Sequence, residues 1–328
     1  MVVLEQSQVS SQRPTLSVIV PNYNHAPYLQ ERFDSVVSQT FQDFEIILLD
    51  DCSTDDSHVL LTQFSRHPKV RTYIRNTANS GSPFVQWRRG LELSSAPLVW
   101  IAESDDVAEP RFLETLVPAL QERPDCVLAF CSSHAFSGDR LNERKPPDQL
   151  QGTNAEPASV RCVSGREFVW RKMQGASGIP NASAVVFRRF PELPALIPTE
   201  MRYCGDWVTW IRLLRRGDVL CFPQLLNHWR SHQQTTRSAN TAIGEINYFW
   251  EFVQRPEYLR EMLVAMLELR PDAGIRWNTW IFMGLLEHYE KLAGGAARRR
   301  FLKDMSLASY LHLYAKETVR RLLRRPGA

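Results

Sequence analysis

Three short runs are almost wholly apolar and stop on polar or acidic side chains: "TLSVIV" at 15–20, "FEIILLDD" at 44–51 and "PLVWIA" at 97–102. Such β-branched runs suit strands buried on both faces rather than half-exposed ones. Helical patterns lie between them. Leu29, Phe33, Val36 and Val37 predict an amphipathic helix over 28–40. "STDDS" at 53–57 offers N-cap chemistry for a helix through Phe64. "KVRTYI" at 69–74 predicts a strand, 82–95 a helix, 110–121 a helix opened by Pro110, and 126–131 a further strand. Strands alternating with helices predict an α/β fold around a mainly parallel sheet, with right-handed crossovers. Ligands of such sheets bind beyond the carboxyl ends of the strands.

Three of those strand ends carry polar groups, at 22–24, 50–51 and 103–106. The last is the most charged: "WIAESDD" at 100–106 delivers Glu103, Asp105 and Asp106 where an apolar run ends. One reading is a solvated turn, since turns favour Asp and Ser. The other is a cation site, because acids gathered on one sheet edge are costly without a cation or donors.

The rest of the chain bounds the class. Its 328 residues are 44% hydrophobic and 23% charged, a globular profile with ample core material. No apolar run approaches the length of a membrane span, and the first residues lack the pattern of a signal peptide. Six cysteines without CxxC spacing predict reduced thiols in a cytoplasmic setting rather than a disulfide framework or a zinc site. The stretch 138–161 is polar and predicts a surface loop, 182–189 a strand, and 205–217 a helix with Asp206 near its start. Beyond about 241 the pattern is helical. Residues 298–325 hold nine Lys/Arg against two acids, a charge of +7 that leaves −4 for the remainder of a chain at +3. That tail reads either as a solvated helix packed on the domain or as a peripheral anchor on anionic lipid, at about 1 kcal/mol per basic residue. It carries no motif that reads nucleic acid.

The ordered motifs "LSVIVPNYNHAPYLQERFDSVVSQTFQDFEIILLDDCSTDDS" (16–57), "NSGS" (79–82) and "APLVWIAESDDVAEPRFLETLV" (96–117) resemble those of the family 2 glycosyltransferases, inverting enzymes of the GT-A fold. The resemblance is close over about the first 130 residues and looser to "GDW" (205–207) and "HWRSHQQT" (228–235). It implies a Rossmann-like GT-A domain over 1–240, with a nucleotide-sugar half at 14–135 and an acceptor half at 136–240. A helical C-terminal extension at 241–328 would follow.

Carried over by motif, Pro21, Tyr23 and Asn24 would frame the nucleotide of a UDP-, dTDP- or GDP-linked sugar. Asp51 would accept from a ring N–H of the base, for which a carboxylate, an acceptor only, is suited. "ESDD" aligns with the DXD motif: Asp105 for a divalent metal, Glu103 in the place of the usual first Asp, Asp106 in support. Mn²⁺ or Mg²⁺ there would stabilise the departing diphosphate. His232 would complete the metal shell or touch the diphosphate, and Arg230 would neutralise phosphate charge. Arg88 or Arg89 would replace the arginine that many relatives carry in Ala-Arg-Asn before the glycine at Gly90. Asp206 aligns with the general base, although read as a residue alone it also makes a good helix cap.

The implied activity is sugar transfer to a glycan or lipid-linked acceptor, in the cytoplasm or on the inner face of the cytoplasmic membrane. A nucleotidyltransferase is the alternative enzyme, but it would want a Gly-rich phosphate loop that "PNYNHAP" does not supply. A non-catalytic glycan-binding module would have little reason to keep Asp51, Asp105 and Asp206.

Overall fold

In the computed structural model the apolar runs are the middle of a ten-stranded sheet. The structure describes residues 2–5, 13–137, 159–173 and 177–232, together with Glu251, Arg255, Glu257, Tyr258, Glu261, Met262 and Ala265. Most of the expected 138–161 loop, nearly all of the expected 241–328 extension and the whole basic tail lie outside the described residues.

The nucleotide-side half runs β1 (Val2–Glu5), β2 (Leu16–Asn22), α1 (Ala26–Val37), β3 (Phe44–Asp50), α2 (Ser57–Phe64), β4 (Val70–Arg75), α3 (Pro83–Leu93), β5 (Leu98–Ile101), β6 (Val107–Ala108) and α4 (Phe112–Glu122). Then come β7 (Cys126–Ser137), β8 (Arg161–Val163), α5 (Gly165–Lys172), β9 (Val185–Arg188), α6 (Gly205–Leu214) and β10 (Asp218–Ser231). The sheet order is β1-β4-β3-β2-β5-β9-β7-β10-β6, with β8 on β10. Strands β4, β3, β2 and β5 are mutually parallel, as the buried runs predict. The second half is mixed: β9 runs antiparallel between β5 and β7, and β10 returns parallel to β7.

Period-two alternation sorts each buried strand onto two faces. Ile19, Ile47, Leu49, Val99 and Ile101 pack with Trp87 and Leu91 of α3, Val169 of α5 and Trp210 of α6. Val18, Val20, Ile46, Leu48 and Trp100 pack on the other face with Leu29 and Phe33 of α1, Leu61 of α2 and Phe112 of α4. Met262 and Ala265 are buried in the first of these cores, so contacts cross the boundary expected at 240. Two helix starts differ in detail. At helix α2 the cap chemistry of 53–57 comes from Asp55, whose Oδ1 accepts from Ser57 N–H at 3.0 Å, while Asp56 at the N-cap makes no side-chain cap bond and Ser53 binds the end of β3. Helix α4 begins at Phe112, while the carbonyl of Pro110 accepts from Thr40 N–H.

Candidate active site

The carboxyl ends of β2, β3 and β5 open on a cleft of about 420 Å³. Pro21, Tyr23, Asn24, Asp51, Glu103, Asp105, Asp106 and Asp206 all line it. The turn after β2 is built for this: Asn24 takes a left-handed backbone (φ 56°), which asparagine tolerates. Its N–H donates to Ser53 Oγ at 2.9 Å, and its Oδ1 accepts from Thr54 N–H at 2.8 Å. That fixes the first strand end against the second.

Asp50 and Asp51 divide as their side chains alternate. Asp50 is fully buried and structural, accepting from Asn22 and Ser53 and pairing with Arg75 at 3.2 Å. Asp51 accepts from Asn76 Nδ2 (2.7 Å), Gln86 Nε2 (2.8 Å), Ser80 Oγ (2.7 Å), Ser80 N–H and Asn79 Nδ2. A carboxylate has about four lone-pair positions. The chain's own donors fill them, so Asp51 orders the 76–86 segment and a base N–H must displace one of these bonds.

The acidic strand end is a network. Glu103 Oε1 accepts from Trp87 Nε1 at 3.0 Å. Burial first, then Asp105 and Asp106, push the Glu103 carboxyl up to about 8 against that indole bond. Asp105 Oδ2 accepts from His232 Nε2 at 3.0 Å. Burial works to raise Asp105, but His25 and His232 outweigh it and hold this carboxyl low. Asp106 accepts from Asn181 Nδ2 at 2.5 Å and from Arg230 N–H at 3.0 Å, while burial and Asp105 push it up. Arg32 underlies the cluster, fully buried over the Trp100 ring, donating to the Glu103 carbonyl and to Ser183 Oγ, each at 2.7 Å. Burial lowers its pKa only to about 10, so it remains a cation at neutral pH.

His25, Asp105 and His232 offer ligand atoms that all lie within 4.8 Å of one another. Of the expected metal ligands, Asp105 and His232 thus come together, His25 joins them, and the Asp106 carboxylate turns to Asn181 and Arg230. His25 Nδ1 and Ser104 Oγ share a hydrogen bond of 2.7 Å, and burial lowers the His25 pKa despite Asp105.

The structure places the two expected arginines differently. Arg88 is half-exposed, pairs with Glu92 one turn along α3, and is not among the cleft-lining residues; Trp87 is. Arg230 lines the cleft, but its guanidinium is fully buried, donates to the Asp105 carbonyl at 2.9 Å and pairs with Glu31 at 2.5 Å. It also stacks between Tyr28 and Phe136.

Asp206 sits in the first turn of α6, but the N-cap position belongs to Cys204. The Asp206 Oδ1 accepts from the first-turn N–H of Trp207 at 2.7 Å, and the N–H groups of Arg202, Tyr203 and Cys204, ahead of the helix, go to Glu251. Sequence reasoning missed His25, Trp87 and Glu251. His25 had a signal, a titratable side chain in the turn after a buried strand.

A sheet whose parallel strands bring Asp51 and an Asp105-centred acidic turn to one cleft, over a mixed second half, is the arrangement of a GT-A glycosyltransferase. Residues 17–173 match the model for glycosyl transferase family 2. An uncharacterized glycosyltransferase of Nostoc sp. is 33% identical over 233 residues, 70% of this chain and 69% of that protein. The fold is also that of S. aureus TarS, residues 1–349, solved in complex with UDP: TM-score 0.56, 16% identity, 85% of this chain and 72% of that one. It is likewise that of the Pyrobaculum calidifontis mannosyltransferase PcManGT, solved in complex with GDP-Man and Mn²⁺: TM-score 0.54, 17% identity, 94% of this chain and 81% of that one. The chain belongs to glycosyl transferase family 2 and is a glycosyltransferase.

Proposed function

We propose that the chain is a metal-dependent, inverting glycosyltransferase that moves a sugar from a nucleoside diphosphate donor to a hydroxyl of a glycan or lipid-linked acceptor. Asp206 is its general base. The observation that carries this reading is the division of labour at α6. Glu251 holds the N–H groups of the turn ahead of the helix, while Asp206, whose Oδ1 accepts from Trp207 N–H at 2.7 Å, lines the cleft with Glu103 and Asp105. In a single displacement the acceptor O–H gives its proton to the Asp206 carboxylate as its oxygen bonds to C1 of the sugar. The C1–O bond to the diphosphate breaks on the opposite side and the diphosphate keeps the electron pair, so the anomeric centre inverts.

Asp105, His232 and His25 fit a divalent cation. One carboxylate oxygen and two imidazoles suit Mn²⁺ better than Mg²⁺, which prefers oxygen throughout. A cation bound there supplies Lewis-acid stabilisation of charge on the leaving diphosphate. Pro21, Tyr23 and Asn24 frame the nucleotide, with Asp51 holding the wall at 76–86. Domain limits of 1–240 and 241–328, a cytoplasmic site of action and a basic tail at 298–325 that rests on anionic membrane belong to the same proposal. Among the described residues no helix is long and apolar enough to cross a membrane.

The test is turnover of UDP-, GDP- and dTDP-sugars, each with and without Mn²⁺, in the parent, Asp105→Ala and Asp206→Asn. The reading expects Mn²⁺-dependent turnover in the parent and none in either variant. Equal turnover in all three would overturn it. Unchanged liposome binding after truncation before Arg298 would remove the membrane clause alone.

A further inference from the structure

The segment beyond residue 240 reaches back to the base. Glu251 is buried, and its carboxylate accepts from three successive backbone N–H groups, those of Arg202, Tyr203 (2.9 Å) and Cys204 (2.6 Å). These lie just ahead of α6, where N–H groups lack intrahelical partners and the helix dipole favours an anion. The next residues along are Gly205 and Asp206.

The carboxylate is itself anchored. Residues 251, 255, 258, 262 and 265 follow helical spacing, and Arg255 N–H donates to the Glu251 carbonyl at 2.9 Å. Met262 and Ala265 are buried in the core that contains Val208 and Ile211 of α6. Arg212 of α6 grips Glu261 with two bonds, of 2.7 and 2.6 Å, and Tyr258 OH donates to Glu200 at 2.6 Å. The segment therefore holds the 202–204 turn from both sides, before it at Glu200 and after it at Arg212. Arg202 and Tyr203 line the cleft beside Asp206, whereas Glu251 does not.

We propose that Glu251 is a positioning residue for the transfer step: it fixes the 202–204 turn, and through it the placement of Asp206 and the acceptor side of the cleft. The proposal rests on the reading of Asp206 as the base. It makes the described residues between Glu251 and Ala265 a part of the catalytic apparatus. A misplacement of about 1 Å in a reacting group can cost about 100-fold in rate.

The full-length protein is compared with Glu251→Ala, Glu251→Gln, Glu251→Asp and, in parallel, Asp206→Asn. Measured are kcat and acceptor KM, UDP affinity and the melting temperature. The expected result is a kcat lower by about 10- to 100-fold in Glu251→Ala, with UDP affinity within about 2-fold of the parent. Glu251→Gln, which keeps shape but only one acceptor oxygen, falls between, and Glu251→Asp recovers part of the loss. If Asp206→Asn is inactive while Glu251→Ala and Glu251→Gln turn over like the parent, the positioning role is overturned and the base stands. If kcat and UDP binding fall together in step with the folded fraction, Glu251 only stabilises and the proposal also fails. An active Asp206→Asn overturns the base reading itself.

Discussion

Trp87 Nε1 donates to Glu103 Oε1 across 3.0 Å, joining the middle of α3 to the acidic strand end. Both residues depart from the pattern that the family resemblance implies: a glutamate stands where the metal motif has its first aspartate, and a tryptophan precedes the arginines near Gly90. The longer carboxylate is aimed at the indole rather than at the His25–Asp105–His232 group. Trp87 is itself fixed edge-on by Phe84, with ring centroids 5.0 Å apart.

Trp87→Phe keeps most of the apolar volume and removes that one donor. Loss of a bond to a buried acidic group costs about 1–3 kcal/mol, to be read from denaturant unfolding. Activity should fall by about 10-fold or more, as when a partner that orients a site carboxylate is lost. Parent-like activity and stability in Trp87→Phe would show that the indole bond does not orient Glu103.

His25 and His232 present their rings edge to face, 5.3 Å apart at the centroids, on one side of Asp105. Each should contribute to Mn²⁺ binding. In the presence of UDP, His232→Ala and His25→Ala are each expected to weaken Mn²⁺ affinity by at least about 10-fold, measured by electron paramagnetic resonance titration. If only His232→Ala does so, His25 belongs to the Ser104 hydrogen bond and not to the metal shell.

How far the sequence led depended on whether the signal was local. Strands β2, β3 and β5 were legible because both faces are buried, so each reads as an unbroken apolar run. Helices α1 and α6 were legible from their stripes. Strand β10 was not: Pro223 and Gln224 interrupt it, and its register with β7 slips between Phe222 and Leu225. Helix α5 is eight residues long, with only Gly165, Phe168 and Val169 buried, too few to set a period. At the site, Asp105 and Asp206 stand in recognisable motifs. His25 stands inside the 16–57 motif and Glu251 in none, but neither role shows there, because their partners lie 80 and 47 residues away and only the fold brings them together. Arg230 was legible as a cation of the site but not as a buried one. A cation in a late motif suggests phosphate, and this one does line the cleft; that Glu31, Tyr28 and Phe136 surround it follows only from the fold.

That burial makes Arg230 a stability residue. Arg230→Met should destabilise by about 1–3 kcal/mol, because the Asp105 carbonyl loses its donor and Glu31, itself partly exposed, loses its cation. Adding Glu31→Leu should recover part of the loss, the sign of direct coupling in a double-mutant cycle. Additive losses in urea unfolding would mean that the two residues act independently.

Gly205 immediately precedes Asp206, the proposed base, and its smallness has a specific cause. A Cβ at this position would lie 2.6 Å from Cδ2 and Cε2 of Phe84, well inside van der Waals contact. Phe84 cannot easily yield, since it is buried against Trp87, whose indole holds Glu103. Gly205→Ala should therefore do two things. Overpacking should cost about 1–3 kcal/mol in unfolding free energy. Relief of the clash by movement of the start of α6 should also carry Asp206 with it and lower kcat, with nucleotide binding little changed. Phe84→Leu in the same chain opens the space and should return most of the lost stability and part of the lost kcat. If the double variant is no better than Gly205→Ala alone, the tight approach of α6 to Phe84 is not what requires glycine beside the base.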